Sequence, residues 1–289
     1  GTKVNECILG VANNSALGVG ALSLAAATSL QTAASAVSIS NNISLLGGAT
    51  INTLSGDTLS ISGVVNDGGH GLVVSGQGNL TLSNTSNTIS NISGSGNLGA
   101  LVVKNTGALT LGSGSNGLEA TTIDIQTTTG NITIAKNISA TSTSNSAIVI
   151  AAGTTLLSGS NASGSDILIS GNPTITTGTG GRATLYTGSL SGSTGFASTL
   201  VPIGNYRYNS SMLVSGFTAA MDTGVYLIYR QQPLLTVTAN DVNMTYGASS
   251  LPTISVGVAG LQNGDLSSSV SPGYGVSSAP VYNPSANTT

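Results

Sequence analysis

Before Pro173 the chain has no proline, and before Tyr186 it has no phenylalanine, tyrosine or tryptophan. Whatever core forms there draws on Val, Ile, Leu and Ala, which excludes the usual packing around large rings. Charge is nearly as scarce, at 5% of residues, against roughly 25% in an average soluble domain. The fixed cations are Lys3, Lys104, Lys136, Arg182, Arg207 and Arg230, and the net charge is −3. That leaves no basic patch to neutralise phosphates, so no nucleic-acid partner is expected. A single cysteine, Cys7, excludes an intrachain disulfide and a paired zinc site, and is expected to be a small buried or incidental residue. There is no strong hydrophobic run either. The stretch from Ala16 to Val37 is mostly Ala, Gly and Ser and includes Gln31. It is too weakly apolar for a span of about 20 residues and lacks the basic flank of a secretory signal. Solenoid rungs or one Ala-rich helix account for it; the chain is not expected to span a membrane and should begin downstream of any export signal.

Gly, Ser, Thr and Asn take the place of the missing charges, while hydrophobic residues still make up 39%. That balance is unlike a disordered chain. A three-residue strand motif recurs: Val37-Ser-Ile39, Leu59-Ser-Ile61, Leu80-Thr-Leu82, Leu109-Thr-Leu111, Ile123-Asp-Ile125, Ile132-Thr-Ile134, Ile148-Val-Ile150 and Ile167-Leu-Ile169. Steps between copies run from roughly 10 to 30 residues and average roughly 20, the scale of one coil in a repeat protein. Turns rich in Gly, Asn, Ser and Asp separate them, such as Asn66-Asp67-Gly68-Gly69 and Gly112-Ser-Gly-Ser-Asn-Gly117. The strings from Gly71 to Leu82 and from Ala100 to Leu111 are nearly superimposable. They lie about 29 residues apart, within the range of repeat-protein periods. A Greek-key sandwich has no reason to repeat side chains at a fixed offset. The expected fold is all-β: a right-handed parallel β-helix (β-solenoid) with inward Val, Ile and Leu, outward hydroxyl ladders, and stability accumulated along the stack, followed by a small C-terminal β-sandwich-like module.

At Pro173 the grammar changes, for all seven prolines and all ten aromatics lie from there onward. Residues 1–180 read as the solenoid, 181–233 as its cap and linker, and 234–289 as the small β-module. Tyr206, Tyr208, Tyr226, Tyr229 and Tyr246 are the candidates for capping or interaction, with packing favoured over a ligand platform.

The module's opening strand Leu235-Thr-Val-Thr-Ala239, its Asn240-Asp241, Met244-Thr-Tyr246-Gly247 and Val258-Ala-Gly-Leu261-Gln-Asn-Gly264-Asp265 resemble the small repeated modules of bacterial surface proteins called MBG or YDG domains. The rest looks like the repetitive shaft of filamentous-haemagglutinin-like exoproteins of the two-partner-secretion type. Gly71-Leu-Val-Val-Ser-Gly76 and Gly78-Asn-Leu-Thr-Leu82 are also similar to autotransporter passenger repeats. The secretion domain of that family is not in this sequence, and the module stops before its closing strands. The resemblance implies a secreted adhesin on a Gram-negative cell surface, exported through an outer-membrane partner and contacting glycans or proteins of host, matrix or neighbouring cells. Either the sequence is a fragment of a longer chain, or another chain completes the module; in the second case the open edge takes a neighbouring subunit's strand and builds filaments.

Catalysis needs convergent titratable groups. The one histidine, His70, sits beside Asp67 in a Gly-rich turn expected to be solvated. No G-x-S-x-G elbow surrounds any serine. The acids of the coils, Asp57, Asp67, Glu119, Asp124 and Asp166, are scattered in sequence, although coils can align distant positions, Asp57 with Asp124 among them. No cation cluster is visible beside them. No metal site and no cofactor are expected, since the repeated G-G-x-G-x-D of calcium solenoids is absent. The sequence therefore reads as non-enzymatic, with a solenoid polysaccharide-degrading enzyme and a monomeric glycan-binding adhesin as rivals. N-x-S/T sequons, among them Asn42, Asn79, Asn84, Asn91, Asn131 and Asn137, occur about as often as this Asn-, Ser- and Thr-rich composition gives by chance, and carry no evidence of glycosylation.

Overall fold

The computed structural model describes residues 1–241, 243 and 256–267. The chain falls into two compact units, Gly1–Leu234 and Leu235–Thr289. The first is a parallel β-solenoid. Short strands recur in turn on three sheets of four, eight and eleven strands, and every pairing among these strands is parallel.

One column of inward side chains shows how the sequence builds it. Ile39, Ile61, Leu82, Val103, Ile125, Ile150, Leu185 and Leu227 are successive register partners on the largest sheet. None is more than 1% exposed. Each stands about 4.8 Å from the next, so each covers its neighbours' apolar faces. From Ile39 to Ile125 the partners follow at an almost constant interval, and this is the true coil length. Hydrogen bonds between adjacent coils carry the same separation, 21 positions from Asn79 to Ala100 and 22 from Asn42 to Val64. Beyond Ile125 each step is longer than the one before, to Ile150, then Leu185, then Leu227. The added residues lie chiefly in 153–166, 170–181 and 188–223, which leave the sheets except where Ile175–Thr176 and Tyr206–Arg207 pair briefly with the largest one.

The two superimposable strings are not one coil apart. Leu72-Val-Val74 lies on the eight-stranded sheet, whereas Leu101-Val-Val103 lies on the largest one. Their offset equals one face, from Leu72 to Leu80, plus one coil, from Leu80 to Leu101. Both faces want apolar residues at i and i+2, so near-identical strings serve either. The stretch Ala16–Val37 forms rungs: Leu22–Leu24 and Ser29–Thr32 are strands, and Ala36–Ile39 begins the third face.

A coil has turns, and turns leave backbone groups unpaired. Side-chain amides from the next coil take them up. The Asn42 Oδ1 accepts from Val64 N at 2.9 Å, and that of Asn79 from Ala100 N at 2.7 Å. The Asn131 Oδ1 accepts from Asp166 N at 2.8 Å, and that of Asn137 from Thr174 N at 2.9 Å. Asn84 and Asn91 donate to Ser62 O and Gly112 O. At Asn42, Asn79, Asn131 and Asn137 the sequon thus follows from turn chemistry: an Asn that bridges coils, then a buried apolar residue, then a partly exposed Ser or Thr. Two further asparagines are fully buried. The Asn87 Oδ1 accepts from Val65 N at 2.7 Å while its amide donates to Lys104 O, and the Asn105 Oδ1 accepts from Ile89 N at 2.8 Å.

In the second unit Thr236–Ala239 pairs antiparallel with Val256–Ala259, and Asn263 and Gly264 turn the chain at positive φ. The expected Met244-Thr-Tyr246-Gly247 segment lies outside the described residues.

Replacing Asn87 with alanine strands the buried Val65 N–H and Lys104 carbonyl. The expected cost is about 2–4 kcal/mol, read as a lower urea midpoint with unchanged far-ultraviolet circular dichroism.

Candidate functional site

Three regions of the solenoid gather polar or aromatic groups. At the C-terminal end the chain reaches its outermost rung before its last one. Tyr206–Arg207 pairs outside Gly224–Tyr229, which is itself sandwiched against Arg182–Thr187. Residues expected to cap the stack thus also contribute strands to it. The outermost strand is two residues long, carries Arg207 and lies near Pro202, features that blunt a sheet edge.

Tyr206, Tyr226 and Tyr229 are buried and Tyr208 is half-buried. The Tyr229 ring is stacked with Tyr208 at 5.6 Å and with Tyr206 at 6.5 Å between centroids. Tyr206 Oη donates to Val201 O at 3.1 Å, and Tyr226 Oη accepts from Asp222 N at 2.9 Å. The Arg207 guanidinium lies 5.3 Å from the Tyr226 ring centroid and 5.6 Å from that of Phe217. Rings occupied in this way on one another and on Arg207 present little open face. The rings divide between two settings: Tyr206 and Tyr229 join the inward core at the end of the stack, whereas Tyr226 is held by Asp222 of the loop 209–223.

Beneath this end lies a buried charge cluster that the sequence did not flag. Arg230 is 2% exposed and donates to the carbonyls of Gly164 and Ser165. Asp166, 6% exposed, accepts from Ser189 N at 2.5 Å and from the hydroxyls of Ser189 and Ser193. Burial pulls the Arg230 guanidinium below its ordinary pKa, and the Asp166 carboxylate opposes that shift. Gly188 and Gly192 must be glycine, for a Cβ would come within 2.6 Å or less of Asp166 oxygens. The pair ties loop 153–166 to loop 188–223 and works as a clamp. On the outer face nearby, burial raises the Tyr186 phenol and Arg182 partly offsets it.

The remaining acids divide into used and free. The Asp67 carboxylate is buried and accepts from Gly69 N, Gly71 N, Ser90 N and Ser90 Oγ at 2.6–3.2 Å, fastening two coils. His70 is exposed beside it. Asp124 accepts from Gln126. It stands in the Ser60 column three rungs on, about 14 Å along the stack, so it does not meet Asp57. Glu119 shares a depression with a cation without pairing to it. With Lys136 it lines a surface dip of about 440 Å³ whose other walls are Gly94, Gly96, Ser115, Asn116, Gly117 and Asn137. Gly112, at φ +93°, sends the chain out of the eight-stranded sheet into the tight Ser113–Asn116 turn. Gly117 brings it back so close to Asn137 O that a Cβ would sit 2.0 Å away. Sequence distance hid this meeting; the glycine pairs flanking the turn were its one signal.

A more apolar groove of about 520 Å³ runs between residues 169–176 and 195–202, with Gly224 and Val225. Cys7 is exposed, at φ +68°, so of the two expectations, buried or incidental, the buried one fails. Among the described residues no cluster of three or more His, Cys, Asp or Glu is placed to hold a metal, and no helix is long and apolar enough to cross a membrane. No family model, no curated protein and no solved structure matches the chain.

Two outcomes follow from the C-terminal end. Arg230→Met leaves Asp166 buried without its counter-charge and should cost about 3 kcal/mol, seen as a lower melting temperature. The Tyr186 phenol should ionise above the usual value near 10 in a spectrophotometric titration compared with Tyr186→Phe, and higher still in Arg182→Met. Because the native state then holds a proton that the unfolded chain has lost, this group withdraws stability as pH rises past that usual value.

Proposed function

We propose that the chain is a structural and adhesive segment of a secreted protein on a Gram-negative cell surface, working by contact and not by catalysis. The observation that carries this reading is the solenoid itself: a long parallel stack whose outward positions are mostly uncharged hydroxyls and amides. Thr176 Oγ1 donates to Ser139 Oγ at 3.1 Å, and Thr128 Oγ1 to Thr106 O at 3.0 Å, each across one coil. Such a surface repeats hydrogen-bonding groups at fixed intervals and holds its shape through backbone pairing. It suits a shaft that carries contacts away from a membrane. The resemblance to haemagglutinin-like exoproteins supports the same reading, with an outer-membrane export partner and self-association through the C-terminal module as its further elements. Opposed to it stands a solenoid enzyme acting on polysaccharide, for which the Asp57–Asp124 pairing provides no support.

Antibody to the purified chain should label intact producing cells, and beads coated with the chain should adhere to cells or matrix. Labelling that requires permeabilised cells, or coated beads that adhere no better than albumin-coated ones, would overturn the proposal.

A further inference from the structure

The dip between Gly94 and Lys136 draws on three consecutive coils, and its chemistry is unlike that of the surrounding shaft. Elsewhere the coils show few charges, and Asp67 and Asp124 are bonded within the fold. In the dip a carboxylate and an ammonium line one depression. Among the described residues neither the Glu119 nor the Lys136 side chain makes a hydrogen bond or an ion pair. Both are therefore available to a ligand. The same lining includes three glycines, Gly94, Gly96 and Gly117, with Gly94 N donating to Gly117 O at 2.8 Å. Ser115, Asn116 and Asn137 add neutral hydrogen-bonding groups to the rim.

Glycine backbone in the lining admits the face of a ring, and Ser115, Asn116 and Asn137 supply donors and acceptors to its edge. Carboxylate and ammonium both form charge-assisted hydrogen bonds with hydroxyl groups, the stronger kind. Their unit charges sum to zero, so an anionic ligand drawn by Lys136 is repelled by Glu119. An amino acid would satisfy the two charges but would leave most of a 440 Å³ dip and its amides unused.

We propose that this dip is a subsite for a neutral saccharide. Ring hydroxyls donate to the Glu119 carboxylate and accept from the Lys136 ammonium and the Asn116 amide, while the C–H face lies over the glycines. The proposal rests on the adhesive reading and gives it a ligand class: uncharged hexose chains on a cell or matrix surface.

The test is a titration of the ¹⁵N-labelled full chain with cellohexaose, chitohexaose and maltohexaose, and with hexagalacturonate as the acidic control. At least one neutral hexamer should move the amide resonances of Gly94, Gly96 and Gly117. Glu119→Gln and Lys136→Met should each weaken that binding by about fivefold or more, the difference between a charge-assisted and a neutral or missing hydrogen bond. The Ile125 and Ile150 amides should stay in place in both variants, showing an intact core. Glycine amides unmoved by every neutral hexamer, shifts with hexagalacturonate alone, or variants that bind like the parent would each overturn the subsite. Coated beads that still adhere in any of those cases would leave the adhesive reading standing and remove only this site.

Discussion

The structure depends on each coil passing its unpaired backbone groups to the next. In a parallel stack no hairpin closes a strand pair locally, so every N–H and C=O on a sheet waits for a partner a full coil away. The turns are worse placed still, because they leave the ladders. Asparagine settles this at position after position. Its amide reaches one rung along and bonds a backbone group that would otherwise be buried or bare. Coil length, the shortage of charge and the abundance of Asn all follow from that requirement. Like charges stacked about 4.8 Å apart would repel at every rung.

The same periodicity governs where bulk and charge are allowed. Inward columns such as Ile39 to Leu227 accept only residues that fit against copies of themselves. A ring in mid-stack would overfill the two coils beside it, at about 1–3 kcal/mol. At the C-terminal end the coils that reach Leu185 and Leu227 are much longer than those of the shaft, and the added loops cover the outer face. Tyr226, Tyr229 and the three arginines lie there and not in the regular shaft. Burial of Arg230 is unfavourable in itself, yet it joins two long loops that no ladder holds.

Much of this was legible. The i, i+2 apolar motif located strands, while the shift at Pro173, read as the start of a cap, falls after the coils have begun to lengthen beyond Ile125. The true period was harder to read. All three faces ask for the same apolar pair, so the match between Gly71–Leu82 and Ala100–Leu111 signals coils without giving their length. The outward meeting of Glu119 and Lys136 was illegible for a related reason. It depends on which turn residue of one coil stands above which of the next, and small variations in coil length erase that from a linear reading. The partners of the Asp166–Arg230 clamp are separated by two insertions, with no repeat to align them.

These exceptions share a cause. A perfect coil repeats one surface at every rung, and a repeated surface offers no point where a ligand would prefer one place over another. Distinct chemistry arises only where the repeat is broken: at Gly112–Gly117, where the chain leaves one sheet and re-enters beside Asn137, and in the long loops near Arg230. The first break leaves two charges unpaired beside a glycine-lined dip, while the second encloses its charges and uses them in packing. Exposure separates the two: a ligand can reach the charges beside the glycine-flanked turn, whereas those of the arginine clamp are closed off within the fold.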